Sequence, residues 1–429
     1  MKKLYIFLIS LISISAAAQI SSNGTTDGSI TITPKGLHGS SNTTAEGGNL
    51  ALGSNALQKT IYDGTVSTYF GAYNTAIGDS SLYSNVSGYF NTGLGAFSLQ
   101  INSTGKGNAG IGYGALNRNE NGDFNTAIGN ITLFSNTSGI RNTAVGNAAL
   151  VNNTTASYNT AVGNYALFYN KTASSNTAIG NQTLFLNTEG VQNTAVGSFA
   201  LLSNKTAQGN TAIGASALSK SISDGNTAIG WLALNTDSLG AFNTAVGSFT
   251  GENLTFGDLN SFLGYNAGTT KDSLSNSTAV GANAKVNASN KVRIGDANIS
   301  VIEGQVAWSN PSDRRLKESI VYTSRLGLDF VNGLKTVSYN YIADKNKVRY
   351  DGFIAQDVEK LMEDLNIPFS GLKKSDNGMF SLAYSDFVMP LVNAIQEQQK
   401  EIEALKAEAL ENRDLRVRLE QLEAKMTNR

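Results

Sequence analysis

The chain has no cysteine, so it can build neither a disulfide framework nor a thiolate metal site, and its stability must come from packing or from oligomerisation. It has one histidine, His38, set in a Gly/Ser/Thr-rich lead-in where a solvated loop residue is the plain reading; histidine-based metal binding or catalysis is not expected. The formal net charge of −1 gives no electrostatic case for nucleic acid or for an anionic membrane surface. No motif calls for a cofactor, and no paired-carboxylate site stands out in the repeats. Long apolar runs are also missing beyond the first eighteen residues, so no later segment is long enough to span a bilayer. Those eighteen read as a signal peptide. Met1-Lys2-Lys3 is the positive start, Leu4 to Ile14 an apolar stretch too short for an anchor, and Ala16-Ala17-Ala18 the small-residue cleavage site before Gln19. The expected location is secreted or cell-surface.

What is present is a repeat. From Asn74 to Asn210 the motif Asn-Thr-Ala-Ile/Val-Gly returns every 17 residues; one step of 16 reaches Asn226, 17 resumes at Asn243 and Asn260, and Ser277 replaces the next asparagine. A leucine series runs in phase from Leu82 to Leu218. An earlier copy near 49–53 is set apart by an insertion over 58–71. A unit this short cannot enclose a core alone, so the repeat predicts a solenoid in which each coil covers the next. Gly and Asn in every coil disfavour helix, whereas Thr-Ala-Ile/Val suits a short strand between turns. Alternation puts Thr75 and Ile77 on one face and Asn74, Ala76 and Gly78 on the other; the branched residue is expected inside and the small ones outside. Roughly twelve coils at about 4.8 Å each make a rod on the order of 60 Å long.

Asn159-Thr160-Ala161-Val162-Gly163 and its sister motifs resemble the parallel β-roll heads of trimeric autotransporter adhesins, over about half the chain. That resemblance speaks for architecture; adhesion to a host surface or extracellular ligand and service as a passive shaft both stay open. A membrane-embedded C-terminal anchor like that of such adhesins is not expected, which leaves surface attachment open. Gly105-Lys106-Gly107-Asn108-Ala109-Gly110 fits a dinucleotide-binding pattern but lies in phase with the repeat, with no βαβ unit around it. The Asn-x-Ser/Thr triplets, such as Asn85-Val86-Ser87, likewise follow from repeat composition and signal glycosylation only in a host that modifies them.

Past Gly295 charged residues become frequent. The pattern predicts a short helix over Ser324 to Gly333 and a strand from Thr336 to Ile342 with Val337, Tyr339 and Tyr341 on one face. A second strand is expected from Val348 to Ile354, a helix from Ala355 to Glu363, and a hairpin turn at Asp376-Asn377-Gly378. Ser385 is a candidate N-cap for the last helix, although Pro390 falls just past its first turn. Along that helix Ile395, Ile402 and Ala409 share one heptad position, and Leu391, Gln398, Leu405 and Asn412 the other. The ten-residue step from Leu405 to Leu415 is a stammer, after which Leu419, Leu422 and Met426 follow. A parallel oligomeric coiled coil is expected, against a single amphipathic helix packed on its own chain.

Between repeat and helix stands Pro311-Ser312-Asp313-Arg314-Arg315-Leu316-Lys317. A neutral lysine can take the hydroxyl proton as serine attacks a carbonyl, so Ser312 and Lys317 suffice for acyl transfer, and the carbonyl of Pro311 is within Ser312's own reach. Lys317 needs burial or nearby positive charge to lose its proton, and Arg314 and Arg315 are candidates for that charge. Five residues put the two side chains on opposite faces of a strand and well apart on a helix, so a bend, or a dyad shared between protomers, is required. The plain alternative is that Ser312 and Asp313 start a turn and Lys317 is solvated.

Together with Tyr350-Asp351-Gly352-Phe353-Ile354-Ala355-Gln356-Asp357-Val358-Glu359 and the terminal heptads, this motif resembles the intramolecular chaperone auto-processing domain of phage endosialidases and tail fibres, over about 312–429. The resemblance implies a module that trimerises the stalk before it and cuts itself off ahead of the motif serine. By position Ser312 is then the nucleophile, Lys317 its base and Pro311-Ser312 the scissile bond, with Asp313, Arg314 and Arg315 as support. The expected organisation is a signal peptide over 1–18, a lead-in over 19–48, a β-roll over 49–300, a linker over 301–311, an α+β module over 312–384 and a coiled coil over 385–429. That makes a mostly β homotrimeric fibre whose only assigned partner is itself. An uncleaved protein with the module as a permanent trimer clamp is the alternative; an enzyme acting on external glycans rests on analogy alone.

Overall fold

Each repeat closes into one coil of a parallel β-solenoid. The computed structural model describes residues 48–427, apart from 62, 64–66, 68, 307, 343, 345, 376 and 377. The signal peptide, His38 and the Asp376-Asn377 turn lie outside the described residues. The chain divides into two units between Ile294 and Gly295. In the first, fifteen three-residue strands from Leu50–Leu52 to Val292–Ile294 stack in sequence order as one parallel sheet, roughly 70 Å long at the usual strand spacing. Equivalent residues pair throughout, as in Thr143 with Thr160, Ala144 with Ala161 and Val145 with Val162.

The strand faces are the reverse of the expectation. Ala76, Ala127, Ala144 and Ala161 are fully buried, while Ile128 and Ile179 are each 39% exposed. The leucine column already fills the coil from the other wall, so only a small residue fits opposite it: at Gly110, in the alanine position, an added Cβ would lie 3.2 Å from Leu99 Cγ. One coil trades the two sizes. Gly251 stands where the leucine belongs and Phe262 stands in the alanine position, buried, with Phe262 Cδ2 3.3 Å from where a Cβ of Gly251 would be.

The leucines sit in left-handed backbone, Leu82, Leu99 and Leu184 all at φ 50°. That conformation costs about 1–2 kcal/mol for an ordinary residue, and full burial of a leucine returns about 2–3 kcal/mol, so burial decides. Each coil then ends its strand at a glycine that nothing else can replace. Gly163 has φ 136°, and a Cβ there would lie 2.4 Å from Gly180 O of the next coil.

Two asparagine columns hold the turns. Asn102 Nδ2 donates to Asn85 Oδ1 at 2.7 Å and to Gly105 O at 3.0 Å, and the pattern repeats as far as Asn204, which donates to Asn187 Oδ1 at 2.8 Å and to Ala207 O at 3.0 Å. In the motif column the Asn91 backbone N–H donates to Asn74 Oδ1 at 3.0 Å, while Asn91 Nδ2 reaches Gly105 O at 2.8 Å. Asn85 is completely buried, so the Asn85-Val86-Ser87 triplet is a packing element whose amide is closed to glycosylation in the folded coil.

The 16-residue step breaks the first column. Ser221 takes the next place and stands five residues before Asn226, where Asn204 stands six before Asn210. The strands stay in register, Thr211 on Thr227, so the turn absorbs the missing residue. Asn204 Oδ1 and Asn210 Nδ2, both buried, find no hydrogen-bond partner among the described residues.

Asp237 holds the place after Ser221, accepting from the Gly240 N–H at 2.9 Å and from Asn243 Nδ2 at 3.1 Å. Burial raises its pKa to about 7, with Asp258 adding to the shift. Because the folded value lies above the unfolded one, the protonated acid stabilises the fold fully below about pH 4, and that contribution, roughly 4 kcal/mol, is lost as pH rises through 7. Thermal melts from pH 5 to 8.5 should therefore show a falling midpoint for the native chain and a flatter one for Asp237→Asn, which is also the more stable at pH 8. Parallel slopes for the two proteins would remove Asp237 as the cause.

The second unit carries a helix at Leu328–Gly333, a hairpin of Thr336–Tyr339 with Tyr350–Phe353, a helix at Ala355–Leu365, a hairpin of Leu372–Lys374 with Phe380–Leu382, and a helix at Val388–Thr427. The first helix starts four residues later than expected and both strands of the first hairpin are shorter. A 3-10 turn at Tyr384–Phe387 takes the place of a Ser385 cap, and Pro390 sits in the first turn of the long helix, where no N–H is needed. Phe330, Val358, Phe369 and Phe387 form the core, with Phe369 and Phe387 edge to face at 4.7 Å.

Candidate functional site

The required bend is present and local. Asp313 caps a 3-10 turn over Arg314–Leu316: its Oδ1 accepts the Arg315 N–H at 2.8 Å, Leu316 N–H donates to Asp313 O at 3.1 Å, and Lys317 N–H to Arg314 O at 3.1 Å. Lys317 leaves the turn in extended backbone, and its Nζ donates to Ser312 Oγ at 2.6 Å. Arg315 folds back on the cap, with Nη2 2.7 Å from Asp313 Oδ2. That guanidinium and the backbone N–H hold the Asp313 carboxyl below the usual carboxylate range. Ser312 and Lys317 thus meet within one chain, while Pro311 lies beside them with its side chain exposed.

Every residue from 308 to 325 is exposed, including Trp308, Leu316, Val321 and Tyr322. The site therefore stands on the surface, its geometry set by six residues and not by the core behind it. Ser–Lys proton transfer needs a dry lysine, and nothing among the described residues of this chain covers Lys317.

The Tyr350 to Glu359 motif builds the core and makes no contact with Ser312 or Lys317 among the hydrogen bonds of the described residues. Val358 is buried in the core, and Gly352 makes room for Tyr384, whose hydroxyl accepts the Phe353 N–H at 3.0 Å. A Cβ on Gly352 would lie 2.2 Å from that oxygen. Further along, Glu397 of the long helix accepts the Leu328 N–H at 2.6 Å and so caps the helix Leu328–Gly333. Neither Tyr384 nor Glu397 stood out in the sequence; the one available signal was Gly327, where a Cβ would lie 2.2 Å from the Glu397 carboxylate.

Residues 312–367 match the chaperone-of-endosialidase family. The match opens on Ser312 itself and runs through the hairpin and the helix Ala355–Leu365. The family is one of self-cleaving intramolecular chaperones associated with trimeric fibre proteins. No curated protein and no solved structure matches the chain. A match to this family following a repeat solenoid in sequence fits a tail-fibre-like protein with a chaperone domain.

Gly352→Ala should loosen the chaperone segment by about 1–3 kcal/mol, because Tyr384 must move and strand the Phe353 N–H. Hydrogen exchange on the full chain reads this as faster exchange at Phe353 and along 355–365. Gly352→Ala with Tyr384→Phe should lose less than the two single losses combined, since the clash and the lost acceptor are one event.

Proposed function

We propose that the chain is an exported homotrimeric fibre whose C-terminal module aligns three chains and then releases itself by cutting Pro311-Ser312. The observation that carries this is the contact between Lys317 Nζ and Ser312 Oγ at the first residue of the family match. In the reaction, Ser312 Oγ attacks the Pro311 carbonyl carbon while neutral Lys317 takes the hydroxyl proton. The Pro311–Ser312 C–N bond breaks, Lys317 returns the proton to the departing nitrogen, and an ester links Pro311 to Ser312 Oγ. Water then hydrolyses the ester, freeing the Pro311 carboxylate and a module with Ser312 at its amino terminus.

The exposure of the site explains why cleavage would wait. In a single chain Lys317 is surrounded by solvent; burial between protomers is what would favour its neutral form. Two surfaces support that assembly. Along the long helix Ile395, Leu405, Leu415 and Leu419 are more than half exposed, an apolar seam that a coiled coil would cover. Along the solenoid the part-exposed Ile/Val/Leu column runs the full length of the sheet in register. Secretion follows from the signal-like first eighteen residues, and adhesion remains a reading of the repeat's resemblance. The same two surfaces also fit a permanent clamp that never cuts.

Denaturing gels with intact-mass measurement separate the two. Assembled wild type should yield a fragment running from Ser312 to Arg429, absent from Ser312→Ala and Lys317→Ala. A single full-length band from folded wild type would leave the clamp. Light scattering on the uncut variants should give three times the chain mass, and a monomer there would sink both readings.

A further inference from the structure

The Asp313–Arg315 pair has a more specific part than general support for the motif. Asp313 uses both carboxylate oxygens on one neighbour: Oδ1 accepts from the Arg315 backbone N–H at 2.8 Å and from its Nε at 3.1 Å, and Oδ2 accepts from Nε at 3.2 Å and from Nη2 at 2.7 Å. Backbone and guanidinium are thereby tied to one carboxylate, and the chain between Ser312 and Lys317 cannot straighten without breaking the Arg315 N–H bond to Asp313 Oδ1 that the guanidinium helps hold in place. This matters because the five-residue spacing itself works against the dyad. It also changes the part given to the arginines. Arg315 is neutralised by Asp313, whereas Arg314 makes no side-chain hydrogen bond or ion pair among the described residues and stays a net positive neighbour of Lys317.

We infer that Asp313, held by Arg315, is the positioning residue that brings Lys317 to the Ser312 hydroxyl. It touches neither the scissile bond nor Ser312 Oγ; it acts through the turn. The inference rests on the cleavage reading above and adds to it which side chain creates the geometry that reading requires. A misplacement of about 1 Å in such a pair costs on the order of a hundredfold in rate.

The test uses the full chain, assembled and followed over time for release of the Ser312–Arg429 fragment, with trimer mass checked for every variant. Asp313→Ala should assemble normally and cleave at least tenfold slower. Asp313→Asn, which keeps an acceptor for the Arg315 N–H but loses the ionic pairing, should fall between the two. The distinguishing measurement repeats the pair in a Ser312→Cys background. A thiol releases its proton more readily and depends less on a positioned base, so the Asp313→Ala penalty should shrink there to under about threefold. An equal penalty in both backgrounds would mean a merely structural role, and a wild-type rate in Asp313→Ala would overturn the inference outright.

If wild type itself does not cut, the cleavage reading fails, and lysine acetylation of the uncut chain still decides the positioning role. Labelling of Lys317 relative to Lys335 should rise at least twofold in Asp313→Ala, as Nζ leaves Ser312; unchanged labelling counts against it.

Discussion

Everything above the single coil depends on a buried amide that gives and takes at once. The turns of a 17-residue coil leave carbonyls facing inward with no strand to pair them. An asparagine placed there donates to the carbonyl of its own turn and to the asparagine before it, and its oxygen waits for the next. Stacking coils therefore satisfies polar groups that one coil would bury at a cost of about 1–3 kcal/mol each. Leucine and alanine fill the remaining space, and the strand sheet supplies a second, independent ladder. Asp237 marks the limit of the scheme. A carboxylate accepts but does not donate, and Asp237 accepts from Gly240 and Asn243 without passing a donor back along the column, while burial pushes its pKa up.

The second unit solves a different problem. Its core is four buried residues and their neighbours, small for a folded unit, and much of its apolar surface is directed outward along the long helix. Such a unit has more to gain from copies of itself than from its own interior. The turn over 312–317 shares that dependence if it carries the proposed cleavage. Its shape is made by neighbours in sequence and is present in one chain, but the proposed chemistry would require a dry environment that the described residues of one chain do not provide.

Much of this was legible in the residues. The 17-residue period dictated coils, and Thr-Ala-Ile/Val between turns dictated strands, because no other element fits that length and composition. Alternation tells which residues share a face and not which face has room; the leucine opposite, Leu99 for Gly110 eleven positions later, decides that. Most of the buried asparagines from Asn85 to Asn204 also read as Asn-x-Ser/Thr triplets, which conceals their packing role, since a polar residue in a turn normally faces water. At the site, spacing argued against contact between Ser312 and Lys317, and one capping aspartate reversed the argument. Tyr384 and Glu397 act across 31 and 69 residues, a distance over which local pattern carries no information.

The sameness of the coils carries a hazard of its own. Two copies laid side by side and slipped by one coil, about 4.8 Å, present almost the same surface to each other as two copies in step. Regular repeats give no penalty against such vernier errors. The irregular coils do: the short turn at Ser221, the Gly251 and Phe262 exchange, and the insertion over 58–71 each occur once. In the proposed trimer they would work as graduation marks on an otherwise unmarked ruler, and a chain regularised at all of them would stack as well alone while losing its means of telling one alignment from the next.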